Sequence, residues 1–200
     1  PLPLENAPRG EIGIPRVLNI YENYPLWFTL FTELGFRVEL SSPSNKTIYN
    51  LGLSTIPSQT VCYPAKLSHG HIMDLIRRGV SRIFYPCIPL ENQDFKGQDN
   101  TYNCPVVGGY PELLRNNIDS LRASGVELIC PFLPLGQERL RERLLELPLF
   151  AGISPEEMAR ALSLAVDEQK RFKEDMRKAG ENALRLLQDT GRQGIILAGH

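Results

Sequence analysis

"RVLNIYENYPLWFTLFTELGFRVELS", residues Arg16 to Ser41, decides the fold. "RVLNIY" (Arg16–Tyr21) is an apolar run of strand length. "YPLWFTLFTELGF" has the bulk and spacing of a buried helix, with Pro25 near its first turn and Gly35 just past its end. "RVELS" (Arg37–Ser41) reads as a second strand. A strand, a helix and a strand joined by short connections predict a β-α-β unit, and with it a parallel sheet.

The same alternation continues downstream. "SNKTIYNLGL" predicts a short helix. "TVCYPAKLSHGHIMDL" (Thr60–Leu75) opens another, with Pro64 in its first turn and Gly79 at its end, after Arg77 and Arg78. "SRIFYPC" (Ser81–Cys87) and "GVELICPF" (Gly125–Phe132) are strand runs that each break on Cys and Pro. Between them lie a polar loop, "ENQDFKGQDNTYN", and "CPVVGGYPELLRNNI", read as a short apolar run, a turn and a helix. From Ser154 the pattern becomes helical: Ser154 caps, Pro155 follows and Glu157 completes a capping box. Met158, Leu162, Ala165, Phe172, Met176, Ala183 and Leu187 mark one stripe. "GIILAGH" (Gly194–His200) then reads as a strand. The expected fold is α/β and Rossmann-like, a mainly parallel sheet flanked by helices with a long C-terminal helix. The expected division is a linker over 1–15, the α/β domain over 16–150, and 151–200 leading into a further domain.

Composition excludes some functions. Lys plus Arg number 22 against 23 Asp plus Glu, so no basic surface invites nucleic acid. No apolar run reaches the roughly 18 residues of a membrane helix, and no signal peptide opens the chain. A cytoplasmic protein is expected, whose four cysteines are thiols available for metal or redox chemistry rather than disulfides.

Cys62, Cys87, Cys104 and Cys130 form no Cys-x-x-Cys pair, yet each has a proline within two residues. Cys87 and Cys130 stand where strand runs end, the edge at which open parallel sheets bind ligands, and Cys62 stands at the foot of a helix. Converging thiolates suit an iron–sulfur cluster or zinc. Free cysteine packs equally well as a small buried hydrophobe. His69 and His71 are two apart and point to opposite sides of a helix, while Lys66 and His69 share a face. That face suits solvent or an anionic neighbour. Gly70 costs about 1 kcal/mol against alanine in a helix, a sign of close packing there. Gly108 and Gly109 before a helix resemble an anion-binding turn, although a plain turn accounts for them.

Four stretches together resemble one family: "GIPRVLNIYENYPLWFTLFTELGFRVELS", "CYPAKLSHGH", "YPCIPLE" and "NCPVVGGYPELLRNNI". It is the uncharacterised domain of large fused proteins related to 2-hydroxyacyl-CoA dehydratase and its ATP-dependent activase. The resemblance covers about Gly13 to Cys130 and continues into the long helix. It implies an iron–sulfur cluster, of the four-iron four-sulfur type, and a domain that accepts or relays electrons. Cys62, Cys87 and Cys130 are its implied ligands, with Cys104 as the fourth; Lys66, His69 and His71 would surround the cluster or dock a partner. The implied partners are other domains of the same polypeptide, including an activase-type ATPase module, with neither nucleic acid nor membrane; a homodimer is compatible with it. The ATPase motifs themselves are absent from this stretch, and no CoA site is recognisable. Two alternatives stand beside this reading: a cofactor-free interaction domain of the same multidomain protein, and a structural zinc site.

Overall fold

The computed structural model describes residues 5–93, 97 and 100–197, with nothing stated of the Gln137 and Glu138 side chains. Among them are four strands: β1 (Glu11–Ile14), β2 (Arg37–Leu40), β3 (Arg82–Phe84) and β4 (Glu127–Ile129). All pair in parallel, in the order β2-β1-β3-β4. The helices are α1 (Ile20–Glu33), α2 (Lys46–Gly52), α3 (Tyr63–Arg77), α4 (Pro105–Asn117), α5 (Asp119–Ser124), α6 (Gln137–Leu145) and α7 (Pro155–Thr190). The α/β class, the parallel sheet and the long C-terminal helix are those expected.

The first strand is not where the apolar run placed it. Ile12 and Ile14 of β1 are fully buried, and Pro15 ends the strand by removing a backbone donor. Arg16–Tyr21, expected as the strand, instead makes a tight turn into α1, with Ile20 N–H bonded to the Val17 carbonyl at 3.1 Å. Val17 and Ile20 are apolar because they pack in the core from that turn. The segment 1–15, read as linker, thus holds a central strand.

Two groups of helices cover the sheet. On one face α1 packs on α7, and Phe84 of β3 meets Trp27 and Phe31 of α1 at ring distances of 5.1 and 4.9 Å. On the other, Gly13 of β1 faces Val80 and Leu75 at the end of α3, which is held by α2, α4 and α5. Helix α3 is buried on several sides at once: Ala65, Ser68, His69, Gly70, His71 and Ile72 have no appreciable exposure. The close packing expected at Gly70 is present, for a Cβ there would run into the Ile48 carbonyl, and one on Gly52 into the Gly70 backbone.

The segment "VVGGYPELL" forms no turn, neither a plain nor an anion-binding one. Pro105 at the first position starts α4 directly, and Gly108 and Gly109 lie inside it. Helix α7 starts where expected, Ser154 Oγ accepting from Glu157 N–H at 3.1 Å, although the Glu157 carboxylate accepts from Arg9 at 3.3 Å rather than closing the capping box, and the helix runs unbroken for 36 residues through Gly180. Its buried residues, Met158, Ala161, Leu162 and Ala165, all lie in its first third. Gly194–Leu197 therefore does not reach the sheet as the expected strand: it follows the end of α7, with Arg192 N–H on the Leu187 carbonyl at 3.1 Å, and Ile195, Ile196 and Leu197 are exposed. Residues 198–200 of that expected strand, and 94–96, 98 and 99 of the expected polar loop, lie outside the described residues. The loop's base is closed by a Leu90–Tyr102 bridge.

Replacing Gly70 with alanine should destabilise the domain by about 3 kcal/mol, the upper range for overpacking. A urea titration of G70A that matched wild type would contradict the α2–α3 contact.

Candidate functional site

In a parallel sheet the chain reverses its winding where adjacent strands send their connections to opposite sides, and a crevice opens outside their carboxyl ends. Here β1 leads to β2 on one side and β3 leads to β4 on the other. A cleft of about 480 Å³ lies at this point, between the turn after β1 and the first turns of α3 and α4. Val17, Leu67 and Val107 give it apolar walls; Asn19, Glu22 and Cys104 also line it. Leu18, on the same wall, holds φ at 49°, a left-handed conformation that a bulky non-glycine residue seldom adopts.

Cys62 and Cys104 occupy equivalent positions. Each is the N-cap of its helix, α3 or α4, each is exposed, and neither side chain caps a backbone N–H. Proline follows in the first turn of both. The first-turn donors of these two neighbouring helices thus have no side-chain cap.

Cys87 and Cys130 are different. Both follow the carboxyl ends of β3 and β4 and are buried, Cys87 in a single parallel bridge to Phe132. The Cys130 thiol donates to Glu112 Oε1 at 3.5 Å. Burial pushes the Cys87 thiol up to about 11 and the Cys130 thiol up to about 12, so both stay protonated at neutral pH. The four cysteines are not brought to one point. Among the described residues no three His, Cys, Asp or Glu side chains stand together as a metal site.

The histidines face neither solvent nor one another. Both rings of the Ser41–His71–Ser44 and Thr55–His69–Tyr110 sets are satisfied by hydroxyls: Ser41 at 2.8 Å and Ser44 at 2.9 Å for His71, Thr55 at 2.8 Å and Tyr110 at 3.0 Å for His69. The Thr55 hydroxyl already donates to the Gly52 carbonyl at 2.8 Å. His69 Nδ1–H therefore donates to Thr55, and Tyr110 donates to His69 Nε2. His71 bonds to the same Ser41 that accepts from Arg16 N–H, joining the loop after β2 to the turn after β1. Lys66, expected to share a face with His69, instead turns its ammonium to the Gln59 carbonyl at 2.8 Å. His69 and His71 hold α3, and hence Cys62, in place; they do not line the cleft.

Leu18, Asn19, Tyr110 and Glu112 had no signal of their own in the sequence. Asn19 stood inside an apolar run read as strand, and Glu112 inside an ordinary helical pattern.

The family described as the CoA enzyme activase uncharacterised domain matches residues 11–200. The chain belongs to this family. The match begins at the first residue of β1 and takes in α7, so the CoA enzyme activase uncharacterised domain spans the sheet, the cleft and the long helix together. No curated protein and no solved structure matches the chain. Among the described residues of this activase-related domain, no helix is long and apolar enough to cross a membrane.

Burial lowers both His69 and His71 from 6.5 to about 4. Below about pH 6.5 the unfolded chain takes up protons that these rings refuse when folded, so stability falls as pH drops from about 6.5 towards 4. Urea midpoints between about pH 7 and 5, where most carboxylates remain ionised, should decline in wild type and decline less in His71→Gln. Equal slopes would contradict neutral buried rings.

Proposed function

We propose that this domain is the iron–sulfur-associated, electron-accepting or electron-relaying part of an activase-related multidomain protein. One observation carries the reading: Cys62 and Cys104 repeat a single arrangement, an exposed thiol at the N-cap of a helix whose first turns line the crevice, with Cys104 itself among the lining residues. Soft thiolates offered at a ligand-binding edge suit iron and sulfide. A cluster held by all four cysteines does not fit this fold, because Cys87 and Cys130 are buried and, among the described residues, no three His, Cys, Asp or Glu side chains stand together. Cys62 and Cys104 are therefore the ligands this domain contributes, and the others come from another domain of the same polypeptide. In this reading Lys66, in the first turn of α3, docks an activase-type ATPase module. His69 and His71 serve by positioning that helix. The setting is cytoplasmic.

A second reading is a cofactor-free scaffold. It is favoured by the outer part of α7, where Met176, Leu184 and Leu186 are exposed and no other element among the described residues covers the helix.

Iron, sulfide and zinc, measured with a visible spectrum on the full polypeptide prepared without oxygen, separate the two. Iron with matching sulfide should be present, be lost in Cys62→Ala and in Cys104→Ala, and persist in Cys87→Ala. About one zinc per chain would mean a structural site instead. A folded protein with no metal would overturn the proposal and leave the scaffold.

A further inference from the structure

We infer that the pocket between β2 and the first turns of α1 binds a small monocarboxylic acid with a compact apolar body, its carboxylate held by Arg16 and Tyr24. This goes beyond the metal proposal and does not depend on it.

Arg16 follows Pro15 at the carboxyl end of β1, on the edge where parallel sheets bind ligands. Its backbone is fixed on both sides: its N–H donates to Ser41 Oγ at 2.8 Å, and Val17 N–H closes on the Pro15 carbonyl at 3.0 Å. Ser41 is held in turn by His71. The Arg16 side chain is half-buried, yet its guanidinium makes no hydrogen bond or ion pair with a described residue. Arg9 and Arg82 are half-buried too, and each grips protein oxygens: Glu157 Oε1 at 3.3 Å for Arg9, the Arg9 and Glu11 carbonyls at 2.8 and 3.2 Å for Arg82. Acidic groups on the neighbouring strand and helix are engaged elsewhere. Glu39 on β2 pairs with Arg37 and Arg78, and Asp74 on α3 with Ser42 and Arg78.

The pocket that Arg16 lines measures about 190 Å³ and is completed by Ile20, Tyr21, Tyr24 and Leu40. Ile20 and Tyr24 are one turn apart on α1 and so share a face. The Tyr24 hydroxyl is a second donor without a hydrogen bond among the described residues. Burial raises it to about 12 against the opposing pull of Arg16, so it keeps its proton at neutral pH.

This lining selects the class. A guanidinium offers a carboxylate two parallel N–H donors and one full compensating charge, and the Tyr24 O–H donates to the same group. Arg16 is the one charged residue of the five, so a phosphate dianion would keep half of its charge uncompensated. An ammonium would meet a like charge, and a neutral amide would leave the arginine unpaired. Volume sets the size. Pockets for drug-sized ligands begin at about 300 Å³, so the acid is smaller, with Ile20, Leu40 and the Tyr21 ring against its body.

Benzoate, benzamide, benzylammonium and phenyl phosphate share one body and differ at the head group. Each is titrated into the folded protein from about 1 mM upward, the range such small molecules require, with sodium chloride as the control for ionic strength. Backbone amide shifts report binding and its place. Benzoate should shift residues 16–24 and the end of β2, with benzamide and benzylammonium at least about tenfold weaker. Arg16→Gln should weaken benzoate by about tenfold or more, with an unchanged thermal midpoint, because the fold uses only the Arg16 backbone. Tyr24→Phe, which keeps the ring against Phe28, should weaken it about threefold or more. No response to benzoate, an equal response to chloride or benzamide, tighter binding of phenyl phosphate, or unchanged binding in either variant would overturn the inference. If Arg16→Gln lowers the thermal midpoint, Tyr24→Phe decides: weakened benzoate binding there upholds the inference, and normal binding overturns it.

Discussion

Helices α2 and α3 touch backbone to backbone, and the rest of the edge depends on that contact. Gly52 and Gly70 each lack the one carbon that would force the pair apart. With the helices this close, Thr55, in the turn after α2, reaches His69, and the Gly52 carbonyl takes the Thr55 proton. His69 in turn reaches Tyr110 on α4. A chain of neutral hydroxyl and imidazole bonds thereby sets α3 against α4, and with it the relative places of Cys62 and Cys104 at their first turns. On the other side of α3, His71 links two loops through Ser41 and Ser44. Each buried ring has both nitrogens satisfied, which is what makes burying two histidines in one helix tolerable.

The parallel sheet converts this rigidity into a site. Every helix that follows a strand starts at the carboxyl edge, and α3, running back towards β3, starts there too. The edge therefore gathers helix starts, with their unpaired N–H groups, around the gap between β1 and β3. The cysteines divide by depth along it. Two cap helices and face outward. Two are buried, where desolvation keeps them as thiols and where Glu112 accepts from one. The exposed pair is open to solvent; the buried pair lies among the core residues, as small hydrophobes do.

Much of this was legible in the sequence. The alternation of apolar runs and helical stripes carried the α/β class, the capping box at Ser154 marked the start of α7, and Gly70 announced a close contact before its partner was known. β1 was not legible, because four residues between Gly10 and Pro15 show too little alternation to stand out, while the neighbouring run Arg16–Tyr21 is apolar for a different reason. "GIILAGH" misled in the same way: its composition is that of a strand, but the long helix before it carries Gly194–Leu197 away from the sheet. The helical histidines read as a solvated face because periodicity describes one buried stripe, and α3 is buried on more than one. Asn19 was beyond reach, since an unpaired buried oxygen is a property of three dimensions only.

The central claim is the division of the four cysteines into an exposed pair at the starts of α3 and α4 and a buried pair in the segments after β3 and β4. Mapping iodoacetamide labelling by mass spectrometry, on the reduced, metal-free, folded domain at neutral pH, tests it most directly. Cys62 and Cys104 should be modified quickly, and Cys87 and Cys130 only after the protein is unfolded in urea. Labelling of Cys87 or Cys130 at the rate of Cys62, or protection of all four in the folded protein, would contradict it.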